Sequence, residues 1–585
     1  MIFGKYINKY YLKYAWILLI GIIALVAVDI YQLKIPEIYG TIIDGLGSNQ
    51  TLTSELLKDL CTDMLIVVII MVIGRFLWRI CFYTSAIRVE SDLRNEMFKH
   101  CKNLSQNFYQ HNKVGNMMSL FTNDIETINE CFGDGVLMFF DALCLGGMAI
   151  YKMFKLSPLL TLLALIPMIF MGIISAIVGK YMMEKWRIRQ EAFSELSDFS
   201  QESFSGISVI RAFVKEFKEL LAFKRINKNN ENANVAFTKA STLLNIFVTL
   251  FVQSVVTIIL GVGGWYAATK RFSAGQLIMF LSYFNSVIWP VMAISRLIEM
   301  SSRGKASLQR ISDLLNTQVE VCDRDDVRTD VKEILGKIEY RNLTFRYPDA
   351  DYNALENVSF TINKGENIGI IGKTGSGKTT LVDLMLRTYN VEDGTIFIDD
   401  MDINSLPIDL VRKYASYVPQ DNFLFSDTIA ANIAFAYEGK SPEEEIVKVA
   451  KLADLDENIS QFKDGYETML GERGVTISGG QKQRTSIARA LLKDASILIL
   501  DDAVSAVDTK TERTILNNLK ETRKGKTTIL IAHRITTVEN MDKVMFIDDG
   551  KLIAFGTHDE LYNTCDDYRK MVELQRLEDE FGGEQ

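Results

Sequence analysis

Six apolar stretches, near residues 15–38, 61–84, 133–154, 157–179, 242–268 and 274–299, constrain this chain more than anything else in it. Each supplies the roughly 20 helical residues that cross a bilayer. Inside lipid every backbone N–H and C=O must find a partner within the segment, so such stretches form helices. WILLIGIIALVAVDIYQL in the first and LLNIFVTLFVQSVVTIILGVGGWYAA in the fifth show the pattern. An even number of crossings puts both termini on one side. The connections between stretches 2 and 3 and between 4 and 5 are long and rich in Lys and Arg, as are residues 5–14. The segment GTIIDGLGSNQTLTSELLKDL, between the first two stretches, carries little positive charge. The positive-inside rule therefore places the long connections and both termini in the cytoplasm.

Both long connections have polar, helix-forming sequence, such as RVESDLRNEMFKHCKNL and EKWRIRQEAFSELSDFSQESF. They read as extensions of the membrane helices that turn back in the cytoplasm, with SLFTNDIETI and SGISVIRAF as the expected turns. Trp289-Pro290 predicts a kink in the sixth helix, because proline removes a backbone donor. Asp29 and Asp141 lie inside apolar runs, where a carboxylate must face other helices or water. Two roles stay open for them: a site for cationic substrates in a central cavity, or a hydrogen bond to a neighbouring helix. The N-terminus, MIFGKYINKYYLKYAWILL, lacks the small residues of a cleavage point and reads as the basic flank of a retained helix.

Of the residues, 48% are hydrophobic and 23% charged, and the two signals separate along the chain. Residues 1–315 read as a membrane domain, 316–336 as a linker, 337–575 as a soluble α/β domain and 576–585 (RLEDEFGGEQ) as an acidic tail, disordered or making a weak contact. A net charge of −9 argues against a nucleic-acid partner. The seven cysteines show no CxxC pairing and no metal-ligand spacing, so free thiols are expected.

From Lys337 the pattern changes. KIEYRNLTFRY alternates like a strand, and ENIGIIG is a buried strand that runs into GKTGSGKTT. This is GxxxxGK[ST] between a strand and a helix. Its residues Gly372, Lys373, Thr374, Gly375, Ser376, Gly377, Lys378, Thr379 and Thr380 let backbone N–H groups close around phosphate oxygens. The following helix aims its positive end at them, and Lys378 reaches the β- and γ-phosphates. The Thr379 hydroxyl is a magnesium ligand in this arrangement.

With these motifs in order, the chain resembles an ATP-binding cassette (ABC) exporter half-transporter, a helical membrane domain of six transmembrane helices fused to an α/β P-loop NTPase domain. The resemblance covers essentially the whole length. It implies ATP and Mg2+ as ligands, with Tyr347 in TFRYP stacking on adenine; a strand-end core tyrosine is the alternative for Tyr347. It also implies that Gln420 in YVPQD contacts magnesium and water, that Asp501 holds the metal, and that His533 in LIAHRITTV polarises the γ-phosphate. In ISGGQKQR, where the family's usual first residue is leucine, Ser478, Gly479, Gly480 and Gln481 match the signature that binds the nucleotide of a second half-transporter. GERG, residues 471–474, resembles the exporter-type segment that meets the membrane-domain loops, and SAVD, Ser505 to Asp508, the loop that crosses the dimer interface.

One position departs from the family. ILILDDAVSAVD places Asp502 after the metal-binding aspartate, where glutamate is usual. Aspartate is one methylene shorter, and misplacing a catalytic group by about 1 Å costs about a hundredfold in rate. Nucleotide-binding positions are intact, and so is the signature. That combination is similar to the degenerate-site half of the family's bacterial heterodimeric exporters, which implies a second, different half-transporter chain as partner and slow hydrolysis at this chain's own site. A slower homodimer is the alternative. The expected cargo is a small amphipathic compound, drug-like by the family's habit, moved out of a bacterial cytoplasmic membrane whose lipids surround the helices. Lipid, haem or peptide export and an ATP-gated channel or regulator are the competing readings.

Overall fold

The computed structural model describes residues 4–47, 54–437, 439, 442–471, 474 and 476–582. Two compact units divide the chain: residues 1–100 with 115–316, and residues 101–114 with 317–585.

The first unit is helical. Its helices are α1 (Asn8–Lys13), α2 (Ala15–Gln32), α3 (Ile35–Gly47) and α4 (Ser54–Cys101). After the short α5 (Gln106–His111) come α6 (Val114–Ser119), a π turn at Leu120–Asp124, α7 (Ile125–Phe132) and α8 (Asp134–Leu156). The unit closes with α9 (Pro158–Ser205), α10 (Ile207–Ala212), α11 (Glu216–Ala268) and α12 (Ala274–Asn316). Five helical stretches are long and apolar enough to cross a membrane, beginning at Ala15, Ser54, Val114, Glu216 and Ala274, and α9 opens with the apolar stretch Pro158–Pro167. At 48 and 53 residues, α4 and α11 far exceed one membrane crossing, so their polar ends continue beyond it. Ser157 starts α9 by accepting from the Leu160 N–H, with Pro158 at the first helical position, where its missing donor costs nothing. Pro290 lies inside α12 against Gly146, where an added Cβ would meet the ring at 3.0 Å. Helix α1 is tied to α4 by a repeated pattern: Lys9 and Tyr10 bond Glu96, and Lys13 and Tyr14 bond Asp92.

The first long connection does not turn at SLFTNDIETI, the place expected from sequence. That segment runs through α6, the π turn and α7. Its Asp124 is 5% exposed and accepts from Ser307 Oγ (2.7 Å) and from the Arg310 guanidinium, so its polar residues find partners on α12 instead of water. The chain turns earlier, through α5. Ser105 caps α5, its hydroxyl donating to Glu320 at 2.7 Å, and His111 Nε2 lies 2.9 Å from Asp349 Oδ2. These contacts are why residues 101–114 pack with the second unit. SGISVIRAF does turn the chain, between α9 and α11.

The second unit contains two sheets. Strands β1 (Ile338–Phe345), β2 (Leu355–Ile362), β4 (Ile396–Ile398) and β5 (Met401–Asp402) form an antiparallel sheet in the order β2-β1-β4-β5. Strands β3 (Asn367–Ile371), β6 (Ala415–Val418), β7 (Ile497–Asp501), β8 (Thr527–Ile531), β9 (Lys543–Asp548) and β10 (Lys551–Gly556) form the other, in the order β10-β9-β3-β8-β7-β6. All but β10 are parallel. Strands β7 and β8 are buried at every position, which explains the apolar runs Ile497–Leu500 and Ile529–Ile531 within them. Helices α13 (Lys378–Met385), α14 (Ile408–Tyr414), α15 (Ile429–Ala434), α16 (Glu443–Leu452), α17 (Asp456–Ser460), α18 (Gly479–Leu492), α19 (Thr509–Thr522), α20 (Ile535–Val538), α21 (His558–Thr564) and α22 (Asp566–Gly582) complete the unit. Of the two expectations for the tail, disorder does not hold for residues 576–582, which are the last two turns of α22, whose Tyr568 and Val572 are fully buried.

Candidate nucleotide site

Strand β3 ends at Ile371, and the next six residues wrap into α13. Gly372 has no room for a side chain, since a Cβ there would come within 2.0 Å of the Ile547 carbonyl and 2.9 Å of Ser376 Oγ. Gly377 precedes α13 at φ +97°, a conformation that L side chains rarely adopt, with Ala354 O 2.7 Å from a Cβ position. The loop is thus a cradle of backbone with few side chains in it, flanked by Lys373, Thr374 and Gly375. Lys378 Nζ donates to the carbonyls of Gly372 and Lys373, at 2.8 Å each. Burial lowers its pKa, while the Asp501 and Asp502 charges push the other way. Ser376 is 3% exposed and its hydroxyl has no partner, an orphaned polar atom at the heart of the loop.

Asp501, at the end of β7, is 2% exposed. Thr379 Oγ1 donates to its Oδ2 at 2.9 Å, and the Tyr417 hydroxyl does so at 3.4 Å. Burial raises its pKa, against which those two donors act, and the neighbouring Asp502 charge raises it further. A divalent cation would relieve both causes of the rise, so the Thr379–Asp501 pair suits Mg2+, and the orphaned hydroxyl and side-chain-free cradle suit a polyphosphate. Bound magnesium would neutralise phosphate charge; Thr379, Asp501 and Gln420 are the residues to hold it. Gln420 follows β6 with an exposed side chain.

Tyr347 is half-buried just after β1. Its hydroxyl shares a 2.9 Å hydrogen bond with Thr380 Oγ1, and its ring stands edge-on to Tyr389 and Phe345, with centroids 5.2 and 5.1 Å away. The aromatic platform and the phosphate loop are therefore brought together. His533, after β8, presents an exposed side chain while its carbonyl accepts from Gln575.

Asp502 adopts φ +50°, a left-handed conformation that aspartate tolerates better than most residues. Its N–H donates to the Ile531 carbonyl at 3.0 Å, and its own carbonyl accepts from Ser505 Oγ and from Gln483 Nε2. Gln483 was quoted within ISGGQKQR without a role. It is 6% exposed on α18, it donates also to Ser505 Oγ at 3.2 Å, and it accepts from the Ala506 N–H at 2.9 Å. One buried amide thus joins the signature helix to Asp502 and to the SAVD loop. Its buried position five residues after Ser478 on an amphipathic helix was the available signal. Tyr417 was also missed; it shares the strand of YVPQ, two residues before Pro419.

Ser478 begins α18 with a capping box, its hydroxyl accepting from the Gln481 N–H while the Gln481 side chain accepts from the Ser478 N–H. Gly479 and Gly480 form the first turn, and a Cβ on Gly480 would meet the Ala506 carbonyl at 2.9 Å. The signature is not brought onto this chain's own phosphate loop by any described hydrogen bond; it faces the SAVD loop instead. Of the GERG segment, Glu472 and Arg473 lie outside the described residues. Asp29 and Asp141 belong to the other unit. Asp29 is 2% exposed, and Asp141 accepts from the Trp289 indole N–H at 2.7 Å.

Comparison with known proteins agrees with this layout. Residues 18–291 match the ABC transporter transmembrane region and residues 355–505 match the ABC transporter family model. The chain is 35% identical to the probable multidrug resistance ABC transporter ATP-binding/permease protein YheI of Bacillus subtilis (strain 168), over 98% of this chain and 97% of that one. It is 35% identical to the multidrug resistance-like ATP-binding protein MdlA of Escherichia coli (strain K12), over 97% and 96%. It is 32% identical to an ATP-dependent lipid A-core flippase of Syntrophus aciditrophicus (strain SB), over 86% and 84%. The fold matches the structure of a bacterial Atm1-family ABC exporter with ATP bound at TM-score 0.75, with 24% identity over 97% and 98% of the two chains. The chain belongs to the ABC transporter family as an exporter-type half-transporter, a membrane-embedded protein with an ATPase domain coupled to transport.

Proposed function

We propose that this chain is the nucleotide-holding half of an asymmetric exporter in a bacterial cytoplasmic membrane, moving amphipathic compounds outward, drugs among them. Its termini and nucleotide domain face the cytoplasm in this reading. The observation that carries it is Asp502, whose backbone N–H and C=O are held by Ile531, Ser505 and Gln483 in a left-handed conformation that glutamate would fit less readily. Tyr347 and residues 372–380 bind ATP; Thr379, Gln420 and Asp501 hold Mg2+; and His533 and Gln420 address the γ-phosphate and its water. Water activation at Asp502 is slow, because the acceptor stops short of the reacting atom.

Ser478, Gly479, Gly480 and Gln481 serve the nucleotide of the partner chain, whose site turns over. ATP binding draws the two nucleotide domains together, and the helix bundle opens outward in response. The multidrug-resistance names of two relatives and the flippase name of a third support an amphipathic cargo.

The test is purification of the tagged chain from its own membrane in mild detergent, followed by mass measurement and sequencing of what comes with it. A second, different half-transporter with glutamate after its magnesium aspartate is the expected result. A homodimer, or a partner with aspartate there too, would overturn the asymmetric reading.

A further inference from the structure

Within the helical unit, α2, α4, α8 and α12 line an open cavity of about 490 Å³, within the usual size range of small-molecule sites. Its wall is mixed. Leu25, Val28, Leu137 and Leu145 supply apolar surface, and Asp29, Asp141, Arg75 and Arg79 supply charge. The Asp29 and Asp141 carboxyls lie within hydrogen-bonding reach of each other. Asp29 Oδ2 is buried with no hydrogen-bond partner, and so is the indole N–H of Trp78, which also lines the cavity. Among the described residues Arg75 donates to Gln32, at 3.3 Å, and Arg79 lies 5.5 Å from the centroid of the Trp78 ring. Arg75 is close enough to act on both carboxyls through space. Yet among the described residues no ion pair joins either arginine to either aspartate.

A buried carboxylate oxygen and a buried indole N–H without partners are costly, and the exposed guanidinium groups of Arg75 and Arg79 stand at the same wall free to meet a guest. A purely cationic guest would satisfy the carboxyl pair and be repelled by the two guanidinium groups. A purely anionic guest would meet the reverse problem. We propose that this cavity receives an amphiphile with a zwitterionic head. Its cationic group sits between Asp29 and Asp141, its phosphate or carboxylate meets Arg75, Arg79 and the Trp78 N–H, and its chain lies on the leucine and valine wall. The assignment rests on the export reading and names the class of cargo; it replaces the cation site considered from sequence with one that needs both charges.

Three probes with the same twelve-carbon chain separate the possibilities: dodecylphosphocholine, dodecyltrimethylammonium and dodecyl phosphate. Each is titrated onto the full chain with its partner in nanodiscs, and binding is read from tryptophan fluorescence. The phosphocholine is expected to bind about tenfold or more tightly than either singly charged probe. Asp29→Asn should weaken the phosphocholine and the ammonium about tenfold while sparing the phosphate. Arg79→Gln should weaken the phosphocholine and the phosphate while sparing the ammonium. The two variants act at opposite ends of the head, so misfolding of one leaves the other informative. Equal affinities for the three probes, or best binding of the ammonium with no response to Arg79→Gln, would overturn the proposal. ATP-driven export that survives such a result would confine the failure to this cavity and leave the export reading standing.

Discussion

A Cβ added to Gly372 in the nucleotide half would come within 2.0 Å of a backbone carbonyl, whereas one added to Gly147, Gly261 or Gly264 in the membrane half would meet nothing within 4 Å. Both halves contain tight glycines, Gly275 against Gly40 being a case in the membrane half. The difference lies in what dictates each residue. Around the phosphate loop, backbone closure, a helix terminus and a buried carboxylate each admit only one or two residue types. In the membrane half most positions need only be apolar and of workable size, and large side chains such as Val72, Ile73 and Phe76 of α4 stand more than 60% exposed. Specific chemistry is written into single residues in one half and spread over faces of helices in the other.

The contrast can be broken at several places. Gly372→Ala should abolish nucleotide binding, on the order of a hundredfold in affinity or more, because the loop must move to admit the methyl. Gly261→Ala should leave both binding and thermal stability near wild type. A Gly261 variant as damaging as the Gly372 one would refute the comparison. Next in size is Arg523, 4% exposed, whose guanidinium donates to the carbonyls of Ala495 and Thr527 at 3.1 Å and to Thr528 Oγ1 at 3.2 Å. Arg523→Met strands these acceptors and should cost about 2–4 kcal/mol, read as a lower melting temperature of the full chain.

Gln483→Leu should slow turnover of the assembled pair several-fold with little change in nucleotide affinity. It unties Asp502, Ser505 and Ala506 without touching the phosphate loop, and an unchanged rate would show that the tie is dispensable. A pH-dependent effect is expected at Asp383, on α13. Burial, aided by the Asp501 charge, raises its pKa to about 6. A raised carboxyl pKa means that the fold disfavours the charged form. The resulting penalty is absent below about pH 4, grows between pH 4 and 6, and is complete at pH 7. In metal- and nucleotide-free protein, Asp383→Asn should therefore stabilise by about 1–3 kcal/mol at pH 7 and by almost nothing at pH 4. Equal gains at both pH values would contradict the cause assigned.

The same contrast explains what could be read from sequence. The strand–loop–helix around Gly372 and the Ser478 cap of α18 were legible because local geometry demands those residues there. So were the membrane helices, since an unbroken apolar run has one solution in lipid. The turn in the first long connection was not. SLFTNDIETI read as a turn because the partners of its Asp124, Ser307 and Arg310, lie some 180 positions away. The real turn depends on Ser105 meeting Glu320 and His111 meeting Asp349, which are equally distant pairings. Gln483 escaped because its role is to tie the signature helix to the loop 502–506, which only the fold brings together. The left-handed backbone at Asp502 was hidden too, although it bears on why aspartate stands there.

The central claim concerns that aspartate, and one measurement addresses it most directly: ATP turnover by the chain purified alone, as wild type and as Asp502→Glu, with nucleotide binding measured in parallel. The account predicts that both bind ATP alike, that the wild type turns over slowly, and that Asp502→Glu is faster by about tenfold or more, since the longer side chain restores reach to the attacking water. Brisk turnover by the wild type, with no gain from glutamate, would mean that aspartate suffices and that this chain needs no unlike partner to hydrolyse ATP.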